Sequence, residues 1–416
     1  MLKINCLYLK PAGRLLLLVL FSACVKGTFA QSPFKADLKE VKVYSTRVDQ
    51  LTNETGRDIT IISHNEIRQL PVDSPEELLR YLPGMVVQSR NGFGVQSDIS
   101  MRGSTFSQVL VLIDGMRLND PLTAHFNGYL PVSLSEIDRI EIIRGPATAM
   151  YGSDAVGGVI NIITKTFSGD DKQPSVADGR LSYGQHNLIS GDAGGFLNGK
   201  KLKLGGGLMV NQSDGQALPS GENADFILKT ASLSGTYQFS PHWKASLRSA
   251  YDYRNFNARY FYTRSPYDES REQVNTSWNQ LQISHAGRLS STSFNLAYKT
   301  TRDSFLFNPA FTASVHQTKF LNGQLNHTIN FKQNLKLGLG AQTDLRTIKS
   351  NDRGDHQDKH VGTYTVLFFK PAASVNLTGS LRGDYDDNFG FELLPQVSGS
   401  WELQKWTFRA SVGRSI

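Results

Sequence analysis

The sequence predicts a transmembrane antiparallel β-barrel preceded by a small α+β domain. Three observations predict it. From about Asp178 onward, apolar and polar residues alternate in runs of about ten, the length at which a tilted strand crosses a bilayer. Short connections alternate with long polar ones between the runs, as in barrels whose two ends face different compartments. Ahead of the runs, residues 137–165 read IDRIEIIRGPATAMYGSDAVGGVINIITK: a strand, a Gly-Pro break, one helical turn and a second strand after paired glycines.

Residues 1–30 read as a cleaved secretory signal. Lys3, Lys10 and Arg14 supply the positive start, residues 15–23 the apolar centre, and Thr28-Phe29-Ala30 a small-residue cleavage site before Gln31. The apolar run is shorter than the roughly 20 residues that span a bilayer. Phe21-Ser22-Ala23-Cys24 offers the alternative of an acylated Cys24, but Phe fits the third position before the cysteine poorly. The net charge of +7 falls to +3 after Ala30, with 40 basic against 37 acidic residues and no basic block. Nucleic-acid binding therefore has no electrostatic basis. The two cysteines, Cys6 and Cys24, both lie in the signal, so the mature chain has neither disulfides nor thiolate metal sites.

Residues 31–52 form a short polar segment. Within it Asp37, Leu38, Lys39, Glu40, Val41, Lys42, Val43, Tyr44 and Ser45 alternate weakly and show no nearby partner. Such a segment suits pairing with another protein; an ordinary first strand of the next domain is the alternative. Residues 53–167 are mixed α/β. Residues 59–62 read as a strand, and Ser63 to Glu66 and Ser74 to Glu77 as capping boxes opening short helices. Pro75 takes the first helical position of the second, and Pro83-Gly84 ends it. Residues 108–113, Asp114-Gly115 and residues 116–118 read as strand, tight turn, strand. No Gly-Lys-Ser/Thr triplet appears and the glycine spacing fits no dinucleotide fingerprint, which excludes a nucleotide loop.

The order strand, RGP, YGS, GG, INIITK resembles the C-terminal part of the plug domain of TonB-dependent outer-membrane receptors. PEELLRYLPGMVV, SMRGS and LVLIDGMRLND resemble its N-terminal and central parts, so the resemblance covers residues 55–167. Residues 37–45 resemble the family's TonB box, with Asp37, Leu38, Glu40, Val41 and Val43 as its TonB-binding residues. The resemblance implies a plug inside the barrel lumen and active transport of a scarce large nutrient across the bacterial outer membrane. Ligand would bind the outer loops and plug apices; TonB, with its inner-membrane energising complex, would pull on the box. Cobalamin, ferric siderophore and haem are the usual ligands, and the plug's form, short N-terminal region and loop sizes lean towards the cobalamin-transporter-like group. The implied partners are TonB, outer-membrane lipid and the small-molecule ligand, with room for a surface lipoprotein. Arginines at the positions of Arg102 and Arg144 lock the family's plug to barrel-wall glutamates. Those glutamates lie on later strands, so Arg102 and Arg144 are expected to be under-paired here or to bond mainly to plug backbone. No cofactor is implied. A passive or structural barrel, porin or adhesin, is the alternative, but a porin has no plug. No Ser/His/Asp arrangement with motif spacing supports an enzyme.

In residues 178–416, Leu202, Leu204 and Leu208 alternate with polar or small residues, as do Trp243, Leu247 and Tyr251 with Lys244, Arg248 and Asp252. Leu377, Leu381, Tyr385 and Trp406, Phe408, Val412 continue the pattern. Lys244, Arg248, Arg382, Asp384 and Arg409 are expected on the lumen side. The long connection 254–271 carries Arg259, Tyr260, Phe261, Tyr262 and Arg264, rigid aromatics beside arginines that suit a large, partly anionic ligand; a mobile loop with mutually packed aromatics is the alternative. His356 and His360, among Asp352, Asp355 and Asp358, raise a metal site, although such loops are more often solvated. The runs number about 13, against about 22 strands in plugged transporters, and the final FRASVGRSI stops within or just after a strand. The expected sheet is therefore an open part of a barrel whose last strand is unpaired on one side.

Overall fold

The computed structural model describes residues 42–43, 50–51, 54–169 and 172–416. The signal, Cys24 and residues 37–41, 44 and 45 of the proposed TonB box lie outside these. Lys42–Val43 (β1) pairs antiparallel with Gln50–Leu51 (β2). This corrects the expectation that the segment has no nearby partner: alternation marks a strand, but a two-residue partner is too short to show in a sequence.

The α+β domain is built on a five-stranded sheet. Its strands are β3 (Asp58–Ser63), β6 (Val109–Ile113), β7 (Met116–Arg117), β8 (Ile137–Arg144) and β9 (Gly158–Thr164), in the order β3-β8-β9-β6-β7. β6 and β9 run parallel and the other pairs antiparallel. All five residues of β6 and all seven of β9 are buried, so both read as continuous apolar runs rather than alternating ones. A separate hairpin joins β4 (Met85–Arg90) to β5 (Gln96–Met101). Helix α1 (His64–Gln69) has the full capping box of Ser63 and Glu66. At α2 (Pro75–Leu78) the Ser74 side chain caps Glu77, but the reciprocal arm differs: Glu77 accepts from the backbone of Asp73 and Phe93 instead. A third short helix, α3 (Thr148–Tyr151), follows the Gly145-Pro146 break. Asp114 (φ 50°) and Gly115 (φ 81°) form the β6–β7 turn, both in the left-handed region that an Asp-Gly pair tolerates.

Thirteen antiparallel strands follow in sequence order. They are β10 (Val176–Gly184), β11 (Leu188–Asn198), β12 (Leu202–Ser213), β13 (Phe226–Gln238), β14 (Trp243–Asn257), β15 (Arg271–Ala286) and β16 (Ser290–Leu306). Then come β17 (Ser314–Lys332), β18 (Leu335–Ser350), β19 (His356–Ala372), β20 (Val375–Asp386), β21 (Gly390–Leu403) and β22 (Trp406–Gly413). Each pairs only with its neighbours in the chain, so the sheet is open, with β10 and β22 at its edges. Leu204, Leu208, Leu247, Tyr251, Leu377 and Leu381 point outward and are exposed, whereas Arg248, Asp252, Arg382 and Asp384 point inward and are buried against the α+β domain. Every residue of β22 is exposed, so Arg409 does not face a packed lumen as expected; without a second neighbour, neither face of the strand is covered. The long connections fall at one end of the sheet, but residues 185–187 and 387–389 turn tightly at that same end, so that end is not lined by long loops throughout.

The domain sits in the concavity of the sheet, and glycine permits the approach. A Cβ on Gly207 would stand 2.0 Å from Oγ of Ser133, and one on Gly194 2.4 Å from Oγ of Ser135. β11 and β12 therefore touch the domain through backbone. Among the described residues no helix is long and apolar enough to cross a membrane.

Candidate functional site

The seam between domain and wall is held by ion pairs that cross it. Arg248 on β14 is buried and its Nη1 donates to Glu136 Oε1 at 2.7 Å, while Nη2 donates to the carbonyl of Pro131 at 2.9 Å. Glu136 lies in a one-turn helix that ends where β8 begins, with the Ser133 amide also donating to its carboxylate. Burial pushes that carboxyl upward, but the Arg248 charge and the hydrogen bonds outweigh it and hold Glu136 below its ordinary value. Glu136 is therefore firmly ionised. Further along β14, Arg254 stacks over the Tyr129 ring at 4.2 Å, reaches the carbonyl of Gly94, and pairs with Glu76 at 3.1 Å and Asp252 at 2.7 Å. Because Arg254 is shared, burial dominates at Glu76 and its carboxyl is raised. Lys299 on β16 donates to the carbonyl of Leu118 at 3.0 Å and to Asp120 at 2.9 Å.

At the short-turn end, Asp178 on β10 gathers His64 at 3.1 Å, Lys165 at 2.9 Å and Arg68. Burial, together with the neighbouring Arg68 charge, lowers Lys165 to about 8. Arg180 donates to the carbonyls of Val72 (2.8 Å), Arg68 (3.0 Å) and Leu70 (3.3 Å), fixing the end of α1 to the first wall strand.

At the long-loop end the domain presents two apices. Residues 91–94 carry left-handed backbone at Asn91, Phe93 and Gly94 and touch the wall through Phe93–Phe226 stacking at 5.7 Å. The one-turn helix Ala124–Gly128 places His125 against Asp98 at 2.6 Å and Phe106 at 4.6 Å. Tyr262 reaches down to this apex: its hydroxyl accepts from Gln96 at 2.7 Å and donates to Glu272 at 3.1 Å, and Arg90 lies 5.3 Å from the ring centre. Beside it, a cavity of about 420 Å³ opens between domain and wall, lined among others by Arg117, Asp154, Arg346 and Asp358.

The candidate loop therefore divides. Phe261 stacks on Phe256 at 5.8 Å and Tyr262 meets the domain, while Arg259 pairs with Glu222 at 3.0 Å beneath Tyr260. Arg264 is exposed on the outer part of the loop. Both alternatives of the sequence reading meet here, since the aromatics pack and also line the apex. Arg102 pairs with Asp58 at 2.9 Å, half exposed. Arg144 donates to the carbonyl of Pro83 (2.9 and 3.2 Å), to Thr60 Oγ1 at 2.6 Å and to Asp58 at 3.4 Å. The partners of both arginines lie within the domain. His356 bonds a loop carbonyl, while His360 is buried between Asp344 (3.1 Å) and Asp384 (3.0 Å). They share one face of β19 but stand four residues apart, roughly 13 Å along the strand, and no group of three or more metal-binding side chains occurs among the described residues. Sequence reading placed Arg248 in the lumen but found neither its partner Glu136 nor the apex residues Arg90, Asp98, His125, Arg117 and Arg346.

Residues 52–159 match the family model of the TonB-dependent Receptor Plug Domain. The α+β domain is thus a plug domain of the kind found in TonB-dependent receptors. Among solved structures, the fold is similar to that of the siderophore receptor PirA from Pseudomonas aeruginosa, at 22% identity and a TM-score of 0.63 over 83% of this chain and 59% of that one. The alcaligin outer membrane receptor FauA from Bordetella pertussis matches at 15% identity and a TM-score of 0.70, over 88% of this chain and 64% of its own. The ferric yersiniabactin uptake receptor FyuA from Yersinia pestis matches at 15% identity and 0.66, over 85% and 64%. The chain thus spans about three-fifths of the length of these structures.

Proposed function

We propose that this receptor imports a ferric siderophore across the bacterial outer membrane, with energy relayed from the inner membrane by TonB. The carrying observation is a plug bonded to the wall through buried ion pairs at Arg248, Arg254 and Lys299. A passive barrel has no use for such a plug, because the charges that hold it cost desolvation and block the lumen. The long-loop end is the outer face and the short-turn end the periplasmic one. Ligand binds at the apex, where Tyr262, His125 and Arg90 supply flat aromatic surface and positive charge, and Arg117 and Arg346 line the adjoining cavity. Siderophore is preferred to cobalamin and haem because the similar structures are siderophore receptors by name. Residues 37–45 engage TonB by adding a strand to its sheet edge, and β1, paired on one side only among the described residues, has an edge to offer. A panel of ferric alcaligin, ferric yersiniabactin, ferric enterobactin, haemin and cyanocobalamin, titrated by tryptophan fluorescence, tests the ligand class. Saturable binding of an iron chelate supports the reading; binding of cyanocobalamin alone overturns the siderophore assignment.

Arg102 and Arg144 act as locks within the plug, of unequal strength, since the bonds they make join plug elements to one another. Arg144 is buried and bonds a carbonyl, a hydroxyl and a carboxylate, so Arg144→Ala loses several hydrogen bonds at about 0.5–1.5 kcal/mol each. Arg102 is half exposed and its pair with Asp58 is worth about 0–1 kcal/mol. Passive leakage of a small antibiotic through the outer membrane is expected to rise in Arg144→Ala and to stay near wild type in Arg102→Ala. Unchanged leakage in both would rule out the lock.

A further inference from the structure

The seam is not closed all the way round. A cavity of about 450 Å³ opens at the short-turn end between the plug and β14–β17, within the roughly 300–1,000 Å³ range of small-molecule clefts. Its wall is mostly hydroxyls and carboxamides, including Gln282, Ser284, Ser293, Asn295 and Asn326, with Lys244, His242 and His285 beside the short turns. Its plug side is the Asp114-Gly115 turn with Asn161 and Phe167. Beside that turn the space is empty, since a Cβ on Gly115 would meet nothing within 4 Å. Two buried polar atoms in this sector, Oγ of Ser284 and Oε1 of Gln280, have no hydrogen-bond partner.

The layer above the cavity is thin. Gln280 donates to the carbonyl of Asp114 at 3.3 Å, and Lys299 donates to the carbonyl of Leu118 and to Asp120. The plug element that receives these bonds lies at the edge of its sheet. β7 is the edge strand of the sheet and pairs with β6 through two residue pairs only. In the sector around Asp178, by contrast, the wall grips the plug through several ion pairs and carbonyl contacts.

We propose that this cavity is the exit half of the solute route: passage opens between the β6–β7 hairpin and the wall strands β15–β17, by release of the Gln280 and Lys299 bonds. The lining suits a polar, hydrogen-bond-rich chelate. Its many neutral hydroxyls and amides, with a single lysine among them, let a solute enter without trapping it, as conduction requires. Asp114, the one plug carboxylate on the lining, is occupied by the amide and hydroxyl of Thr164. The inference rests on the transporter reading, so its test uses no ligand.

The probe is potassium current through the receptor, in its full natural length, in a planar lipid bilayer. Gln280→Ala with Lys299→Met removes the ceiling bonds and is expected to raise the leak by about tenfold, the effect of losing about 1.4 kcal/mol of closure. Residues 31–416 contain no cysteine, so single cysteines can be added to them in this variant, with any cysteine elsewhere in the receptor replaced by serine. A maleimide-linked polyethylene glycol on Ser293→Cys should return the current to near the wild-type level. The same label on Lys405→Cys, on the exposed turn between β21 and β22 and far from the cavity, should leave the current unchanged, with labelling checked by mass spectrometry in both. Absence of a leak, a leak indifferent to the label at Cys-substituted position 293, or equal block from both positions would each overturn the route. None of these outcomes depends on which ligand the receptor takes.

Discussion

Replacing Arg248 by methionine is expected to unseat the plug more than any other single change in the seam. Arg248 is fully buried, and its loss leaves Glu136 ionised, buried and facing an apolar thioether. Glu136 cannot easily escape by taking up a proton, because the Ser133 amide and hydroxyl still favour its charged form. Breaking a buried pair from one side costs about 3–5 kcal/mol, more than the loss expected at Arg144. The wall has no such stake, since β14 remains paired along its length to β13 and β15. The expected result is a folded barrel with a loosened plug: unchanged heat-modifiability on gels, together with faster trypsin cleavage of the plug and raised passive leakage. Glu136→Gln in the same background should restore part of the loss, because it removes the stranded charge. A single variant with wild-type leakage and protease resistance would show that the pair does not hold the plug.

The second large effect is expected at the other end of the mechanism. Val41→Pro removes a backbone donor and fixes φ in the segment proposed to join TonB's sheet. Affinity there comes from the ladder of main-chain bonds, so uptake should fall to the background of cells lacking TonB. Binding of the chelate at the outer face should be unchanged, since no residue of the apex lies within 37–45. A Val41→Ala control keeps the donor and should transport normally. Undiminished uptake by Val41→Pro would remove residues 37–45 from the coupling role.

Much of this architecture was legible in the chain for a physical reason. A strand with lipid on one side and a polar plug on the other must alternate, and Leu247, Tyr251 and Arg248, Asp252 do so without exception. The lengths were less legible. β17 runs for 19 residues, but in its outer portion the outward face carries Gln317 and Lys319, where apolar residues are no longer needed, so the periodic signal fades before the strand ends. The β4–β5 hairpin was missed because MVVQSR and QSDISM bury polar residues such as Gln96, Ser97 and Asp98 against the wall and loop. The plug's own strands were found because β8 and β9 are nearly solid with isoleucine and valine.

The site was less readable than the fold. Arg248 announced itself as an inward charge, but its partner lies 112 residues away, and nothing in the local pattern of either segment points to the other. The aromatic loop was found from its composition; that Tyr262 and not Tyr260 would meet the plug depends on where Gln96 and Glu272 place their polar ends. Arg102 and Arg144 were singled out by resemblance to a motif. The difference between them, one half exposed and one buried against the carbonyl of Pro83, follows only from packing.

The measurement that bears most directly on energised import is uptake of radioactive iron, supplied as the chelate that the binding panel selects, by cells expressing the receptor. Uptake is compared with and without a protonophore and in a strain lacking TonB. Import driven through the plug predicts that surface binding survives in all three conditions, while accumulation inside the cell stops when the proton gradient or TonB is removed. Accumulation that continues at the same rate in de-energised cells, rising in proportion to external concentration without saturating, would mark a passive pore and contradict the account.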